Sequence, residues 1–196
     1  MPRPDRTEER RDELLPVVAE AFARLGYRRA TTATLAARCG VRENVLYRLW
    51  PDKKAMFLAS IRHVYDRAER IWEERAALGP EGSTASRLLE YESRHLGEFG
   101  LYRILFTGLS ETEDPEIRAH LRDTYRKFQR WIKRRIEAHD RLRGGRPGPE
   151  AELIAWAMVG LGTVANVGRE IDLFPARVRA RLIADAGRLL LEGGAP

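Results

Sequence analysis

Six polar side chains fall within twelve positions of one another: Arg42, Glu43, Asn44, Tyr47, Arg48 and Lys53. Each type can read or hold a duplex. Arginine pairs with guanine, asparagine with adenine, and a glutamate accepts from cytosine. Tyr47 and Arg48 come one helical turn after the first three, where side chains reach backbone phosphates. Lys53 adds a point charge beside a helix start that itself favours anions. Upstream, Thr31 and Thr32 offer hydroxyls. No comparable set suggests catalysis. The four histidines, His63, His95, His120 and His139, are not spaced as metal ligands, and HExxH, CxxC and GxSxG are absent. No cofactor, metal or catalytic residue is expected.

Those side chains need a scaffold, and residues 26–57 supply one. Thr31 or Thr32 can cap a first short helix, because a hydroxyl accepts from the orphan N–H groups of its first turn. Leu35, Ala36 and Cys39 give that helix a small apolar face. Gly40 sits where it stops, since glycine tolerates the left-handed conformation of such a stop. A second helix follows, with Val45, Leu46 and Leu49 inward and Arg42, Asn44, Tyr47 and Arg48 outward. Pro51 ends it and Asp52 caps the next. Two helices joined by a short glycine turn form a helix-turn-helix, whose second helix enters the major groove.

The stretch resembles the DNA-binding domain of TetR-family transcriptional repressors. The matching residues are Gly26-Tyr27, Thr31, Leu35-Ala36, Gly40-Val41, Leu46-Tyr47, Trp50, Lys53 and Met56, in register without a gap. Arg42 departs from the family's usual small Ser or Thr cap, and Asn44 from its common Gly. Ala30 and Thr32 also differ. The resemblance implies phosphate contacts at Tyr47, Arg48 and Lys53. It further implies an effector cavity in a helical body and a homodimer joined by the last two helices of each subunit. Trp156, Gly160, Val164, Val167, Val178, Leu182 and Leu189 are the interface candidates. Tyr91, His95, Phe99, Tyr102, Phe106, Phe128, Trp131 and Trp156 are the cavity candidates, although each aromatic also reads as plain core.

Charge agrees with a nucleic-acid partner. From Arg24 to Lys54 there are eight basic residues against two acids, a surplus equal to the +6 of the whole 196-residue chain. A localised basic patch on a helix-turn-helix is the footprint of phosphate binding. The single cysteine, Cys39, reads as a small buried hydrophobe rather than a redox sensor. The charged N-terminus lacks the apolar core of a signal peptide. No uninterrupted apolar run reaches the roughly 18 residues of a membrane span. A reducing cytoplasm is the expected setting.

Around the motif, periodicity predicts helices and no strands. The first runs from about Thr7 to Leu25, with Pro16 marking either a kink or a start near Asp12. Others run from about Asp52 to Ala77, Ser83 to Glu98, Leu101 to Leu109, Pro115 to His139, Glu150 to Arg169 and Pro175 to Leu191. The expectation is an all-α chain of about nine helices, with a DNA-binding domain over 1–54 and an effector-binding and dimerisation domain over 55–196. The helix from Glu150 is apolar almost all round, so it is buried or covered by another chain. Its Gly160-Leu-Gly162-Thr-Val-Ala165 matches a dinucleotide fingerprint as a string, but not in the strand–turn–helix that motif needs. The function expected is a dimeric repressor that leaves a palindromic operator when a small molecule binds. Alternatives are a DNA-binding regulator without an effector and a helical enzyme.

Overall fold

A computed structural model describes residues 6–78, 84–95, 102–144 and 150–192. Among these, every regular element is helical. In order they are α1 (Arg6–Leu25), α2 (Thr32–Arg38), α3 (Glu43–Leu49), α4 (Lys53–Ala76), α5 (Thr84–His95), α6 (Arg103–Leu109), α7 (Pro115–Leu142) and α8 (Glu150–Glu170). After them α9 (Ala176–Arg181), a π-helical segment (Leu182–Ala186) and α10 (Gly187–Glu192) follow one another directly. The loop predicted at 143–149 lies largely outside the described residues.

α1 settles the question about Pro16. The helix starts at Arg6 and carries Pro16 inside it. A proline there removes one backbone hydrogen bond. Burial of Leu14, Val18, Ala21 and Phe22 on both sides offsets that loss. A fully buried side chain of this size contributes about 1.5–3 kcal/mol.

The helices gather into two compact units. One holds α1 to α3, α4 as far as Arg67, α6, and α7 to Thr124. Its core is aromatic: the Phe22 and Phe57 rings meet edge to face at 5.0 Å, and Tyr27 lies 4.8 Å from Phe57. Val18, Leu35, Leu46, Met56, Ile61, Ile104 and Ile117 are almost wholly buried in the same unit. Gly108 lets α6 come close to α7, since a Cβ there would stand 2.9 Å from a Leu121 methyl. The boundary expected between residues 54 and 55 was drawn by role; by packing, α6 and the start of α7 group with the helix-turn-helix.

The second unit holds α4 from Ala68, α5, α7 from Tyr125, and everything from α8 onward. Trp72 packs on Phe128 and Trp131, with ring centroids 5.6 and 4.6 Å apart. Ile136 packs with Ala151 and Ala155 of α8. Leu89 of α5 lies close against Gly187, where an added Cβ would stand 2.5 Å from a Leu89 methyl.

Candidate nucleic-acid interface

The helix-turn-helix is fixed by local chemistry that follows its sequence. Thr31 is the N-cap of α2, its hydroxyl accepting from the Thr34 N–H at 3.1 Å. α2 ends at Gly40, whose φ is 64°. The Val41 N–H donates to Ala36 O at 3.0 Å, and the Gly40 N–H to Ala37 O at 3.2 Å. That pair of bonds is the Schellman stop, and it needs a residue at ease in the left-handed region. Asp52 caps α4, accepting from the Ala55 N–H at 2.7 Å. The Arg11 guanidinium donates twice to Leu49 O, at 3.1 and 2.7 Å, and so satisfies a carbonyl at the end of α3.

α3 presents the expected face. Leu46 and Leu49 are buried, while Arg42, Glu43, Asn44, Tyr47 and Arg48 are exposed. Arg42 is the N-cap residue yet makes no side-chain cap bond, unlike a Ser or Thr in its place. Its guanidinium is left for an outside partner. Across the turn, the hydroxyls of Thr32 and Tyr47 lie 3.1 Å apart.

The basic patch is smaller than its residue count. Arg24 pairs with Glu20 at 3.0 Å, and Arg28 with Glu111 at 3.1 Å. Lys54 reaches both Asp114 at 3.3 Å and Glu116 at 2.9 Å. These hydrogen bonds, Glu116 first, raise the lysine above its ordinary range. Asp114 also accepts from the Ile117 and Glu116 N–H groups, and these backbone bonds, with Lys54, hold its carboxyl below the usual range. Lys53 donates to Tyr27 O at 3.1 Å and sits 4.5 Å from the centre of the Tyr27 ring. Burial, then the nearby Asp114 and Asp52, push the Tyr27 phenol up. Arg38, Arg42 and Arg48 have no partner among the described residues. With Arg29 and Lys53, which meet only backbone carbonyls and a ring, they are the cations of this stretch without an acidic partner among the described residues.

Cys39 is only half-buried, a correction to the expected buried hydrophobe. It is the C-cap residue of α2, where the helix turns outward to Gly40. Burial nevertheless pushes its thiol up, away from the reactive thiolate.

The cavity candidates separate. Phe99 lies outside the described residues. Tyr102 and Phe106 belong to the first unit, and Tyr91, His95, Phe128 and Trp131 to the second. Tyr91 and His95 stack at 4.2 Å. Sequence reasoning missed the polar groups around the second set. The Trp72 indole donates to Glu92 at 2.6 Å, and the Trp131 indole to Glu73 at 2.7 Å. Arg135 holds Glu73 and lies over the Trp131 ring at 4.8 Å. Burial pushes the Glu92 carboxyl up, against the Trp72 bond. Burial would also raise Glu73, but Arg135 and Trp131 outweigh it and hold that carboxyl low. Among the described residues no group of three or more His, Cys, Asp or Glu is placed to hold a metal ion.

The interface candidates are mostly uncovered. Trp156, Val164, Val167, Val178 and Leu189 are exposed, while Leu182 is half-buried. Leu153 and Ile171 continue the α8 row, 71% and 64% exposed. A Cβ on Gly160 or Gly162 would meet nothing within 4 Å, so among the described residues no other helix approaches either glycine. α8 is long and apolar enough by length and composition to cross a membrane. Its exposed apolar positions form one stripe at three- and four-residue spacing, with Ala151, Ala155, Ala165 and Asn166 buried on the other side. An exposed apolar row of this kind is a surface that another helix can cover.

Residues 15–60 match the family described as bacterial regulatory proteins, tetR family. The nucleoid occlusion factor SlmA of Aliivibrio fischeri is 31% identical over 162 residues, covering 79% of this chain and 81% of that protein. SlmA of Vibrio cholerae is 32% identical over 161 residues, covering 79% and 80%. A solved TetR-family transcriptional regulator from Cytophaga hutchinsonii superposes with a TM-score of 0.78 over 97% of both chains, at 14% identity, and so shares the fold.

Proposed function

The chain belongs to the TetR family of bacterial regulatory proteins, and from that premise we propose that it acts in the cytoplasm as a homodimeric repressor of a palindromic operator. Residues 1–54 would be its DNA-binding domain and 55–196 its effector-binding and dimerisation domain. The observation that carries the reading is the exposed row on α3. Arg42, Glu43 and Asn44 stand at its N-terminal end, where base edges are read, with Tyr47 and Arg48 one turn on. The Thr32–Tyr47 pair and Lys53 would take backbone phosphates. The bare α8 stripe, with Gly160, Val164 and Val167, supports dimerisation, and Val178, Leu182 and Leu189 add to it. Two heads on one dimer read half-sites about 34–36 Å apart.

Release would come from an effector bound among the aromatic side chains of the second unit. A ligand that favours a head spacing unlike the operator's lowers DNA affinity, and DNA then lowers ligand affinity by the same factor. The close packing of Trp72, Phe128 and Trp131 supports the alternative of a regulator with no small-molecule effector. The likeness to SlmA supports a further reading, a role in nucleoid occlusion, which calls for many chromosomal sites rather than one promoter.

The test is selection of bound sequences from a random duplex library near physiological salt. An enriched palindrome is the expected result. Binding without enrichment would leave a non-specific binder. Mapping the enriched sequence to one promoter or to many dispersed positions separates the repressor from the occlusion factor.

A further inference from the structure

α7 carries a charge pattern that the helix-turn-helix does not use. From Ile117 to Ile136 its exposed positions are Arg118, Arg122, Asp123, Arg126, Arg130 and Arg134. The arginines recur every four residues, so their stems follow one ridge of the helix, about 6 Å of rise apart. Arg118, Arg122, Arg126 and Arg130 have no partner among the described residues. Arg134 feels the charge of Glu73, but Glu73 is already bound by Arg135 and Trp131. Like charges four apart destabilise a helix, so the row costs the fold something unless a partner offsets it.

We propose that this ridge is a second, sequence-independent contact for the phosphate backbone of double-stranded DNA. Three observations select that partner. Every exposed basic position of this stretch is arginine, whose fork holds a phosphate in two bonds. No exposed apolar or aromatic side chain lies along the row between residues 117 and 136. A peptide would lack the apolar anchor that usually carries binding energy, and a single strand would lack a stacking platform. A duplex needs neither, because released counterions supply the affinity. A second copy of this chain carries the same net +6, so overall charge repels it from this ridge.

The test uses the full chain with Arg118, Arg122, Arg126 and Arg130 changed together to Gln, and a second variant with the same four changed to Lys. Binding to a random-sequence duplex is measured against salt. The Gln variant should bind more weakly, with the slope of log affinity against log salt reduced by about 0.9 for each phosphate it no longer neutralises. The Lys variant should keep most of that slope. Helix content by circular dichroism shows that both are folded. Arg42→Ala with Arg48→Ala separates this ridge from the helix-turn-helix, because ridge-dependent binding should survive that change. An unchanged slope in the Gln variant overturns the proposal. Loss of polyglutamate binding without any change on duplex DNA overturns it too, in favour of an acidic polypeptide.

Discussion

Tyr47 and Thr32 share a hydrogen bond of 3.1 Å between their hydroxyls, and it joins the two helices of the DNA-binding motif at their exposed edge. Two hydroxyls in contact leave lone pairs and a proton for a third group. On the function proposed above, a phosphate oxygen would take that third position. Tyr47→Phe keeps the ring and removes one partner. Affinity should fall by about 1 kcal/mol, the usual net worth of one hydrogen bond. All sequences should weaken alike. A change in the ranking of operator variants in a gel-shift series would show that Tyr47 reads bases instead.

Asn44→Ala should cost roughly 1–3 kcal/mol on the best sequence and relax the choice at one base pair. Lys53→Ala should weaken every duplex about equally and flatten the salt dependence. Because Lys53 also holds Tyr27 O and its ring, that variant should melt earlier than wild type as well. Competition titrations over a set of single-base operator variants check the binding effects, and a thermal melt checks the stability.

Arg42→Ser should split stability from binding. A serine N-cap is worth about 1 kcal/mol over a residue that makes no cap bond. The variant should therefore be more stable to urea and yet bind its operator less selectively. A variant that is neither more stable nor less selective would remove both roles from position 42.

Glu92→Gln should raise the melting temperature at neutral pH and leave it unchanged in acid. The sign follows from the raised carboxyl. Below the ordinary glutamate value, about 4.3, folded and unfolded chains both hold the proton and Glu92 is neutral to stability. Above it the unfolded chain ionises first, so stability falls as pH rises toward the folded value. A glutamine can still accept from the Trp72 indole without ever charging. Thermal melts from pH 4 to pH 8 would show the two curves parting as pH rises.

Val164→Glu should give a monomer with unchanged helix content and no operator binding. The side chain is exposed in the single chain, so the change harms only what covers it. Sedimentation of the variant beside wild type reads this directly.

What could be read in the sequence was local. Thr31, Gly40 and Asp52 announce a cap, a stop and a cap through chemistry that spans no more than a few residues, and each does that work here. In α8 the sequence showed a helix apolar almost all round and therefore covered; which side the rest of the chain leaves bare is visible only once it is folded. The ties that span the chain were not. Arg28 and Glu111 are 83 positions apart, and nothing near either says that they meet. Counting Arg28 and Lys54 as free charge overstated the patch for that reason. Trp72 and Glu92 failed to stand out because an indole among core residues gives no hint of the carboxylate it will find.

The acidic corner before α7 bears on how portable the DNA-reading head is. Glu111, Asp114 and Glu116 are encoded far downstream, yet they hold Arg28 and Lys54 of the head. A chimera spliced after residue 54 would import the two cations without their anions and part α1 from the α6 it packs against. Heads exchanged between relatives should therefore travel with the matching 103–124 segment, and natural recombination that keeps the head intact faces the same constraint.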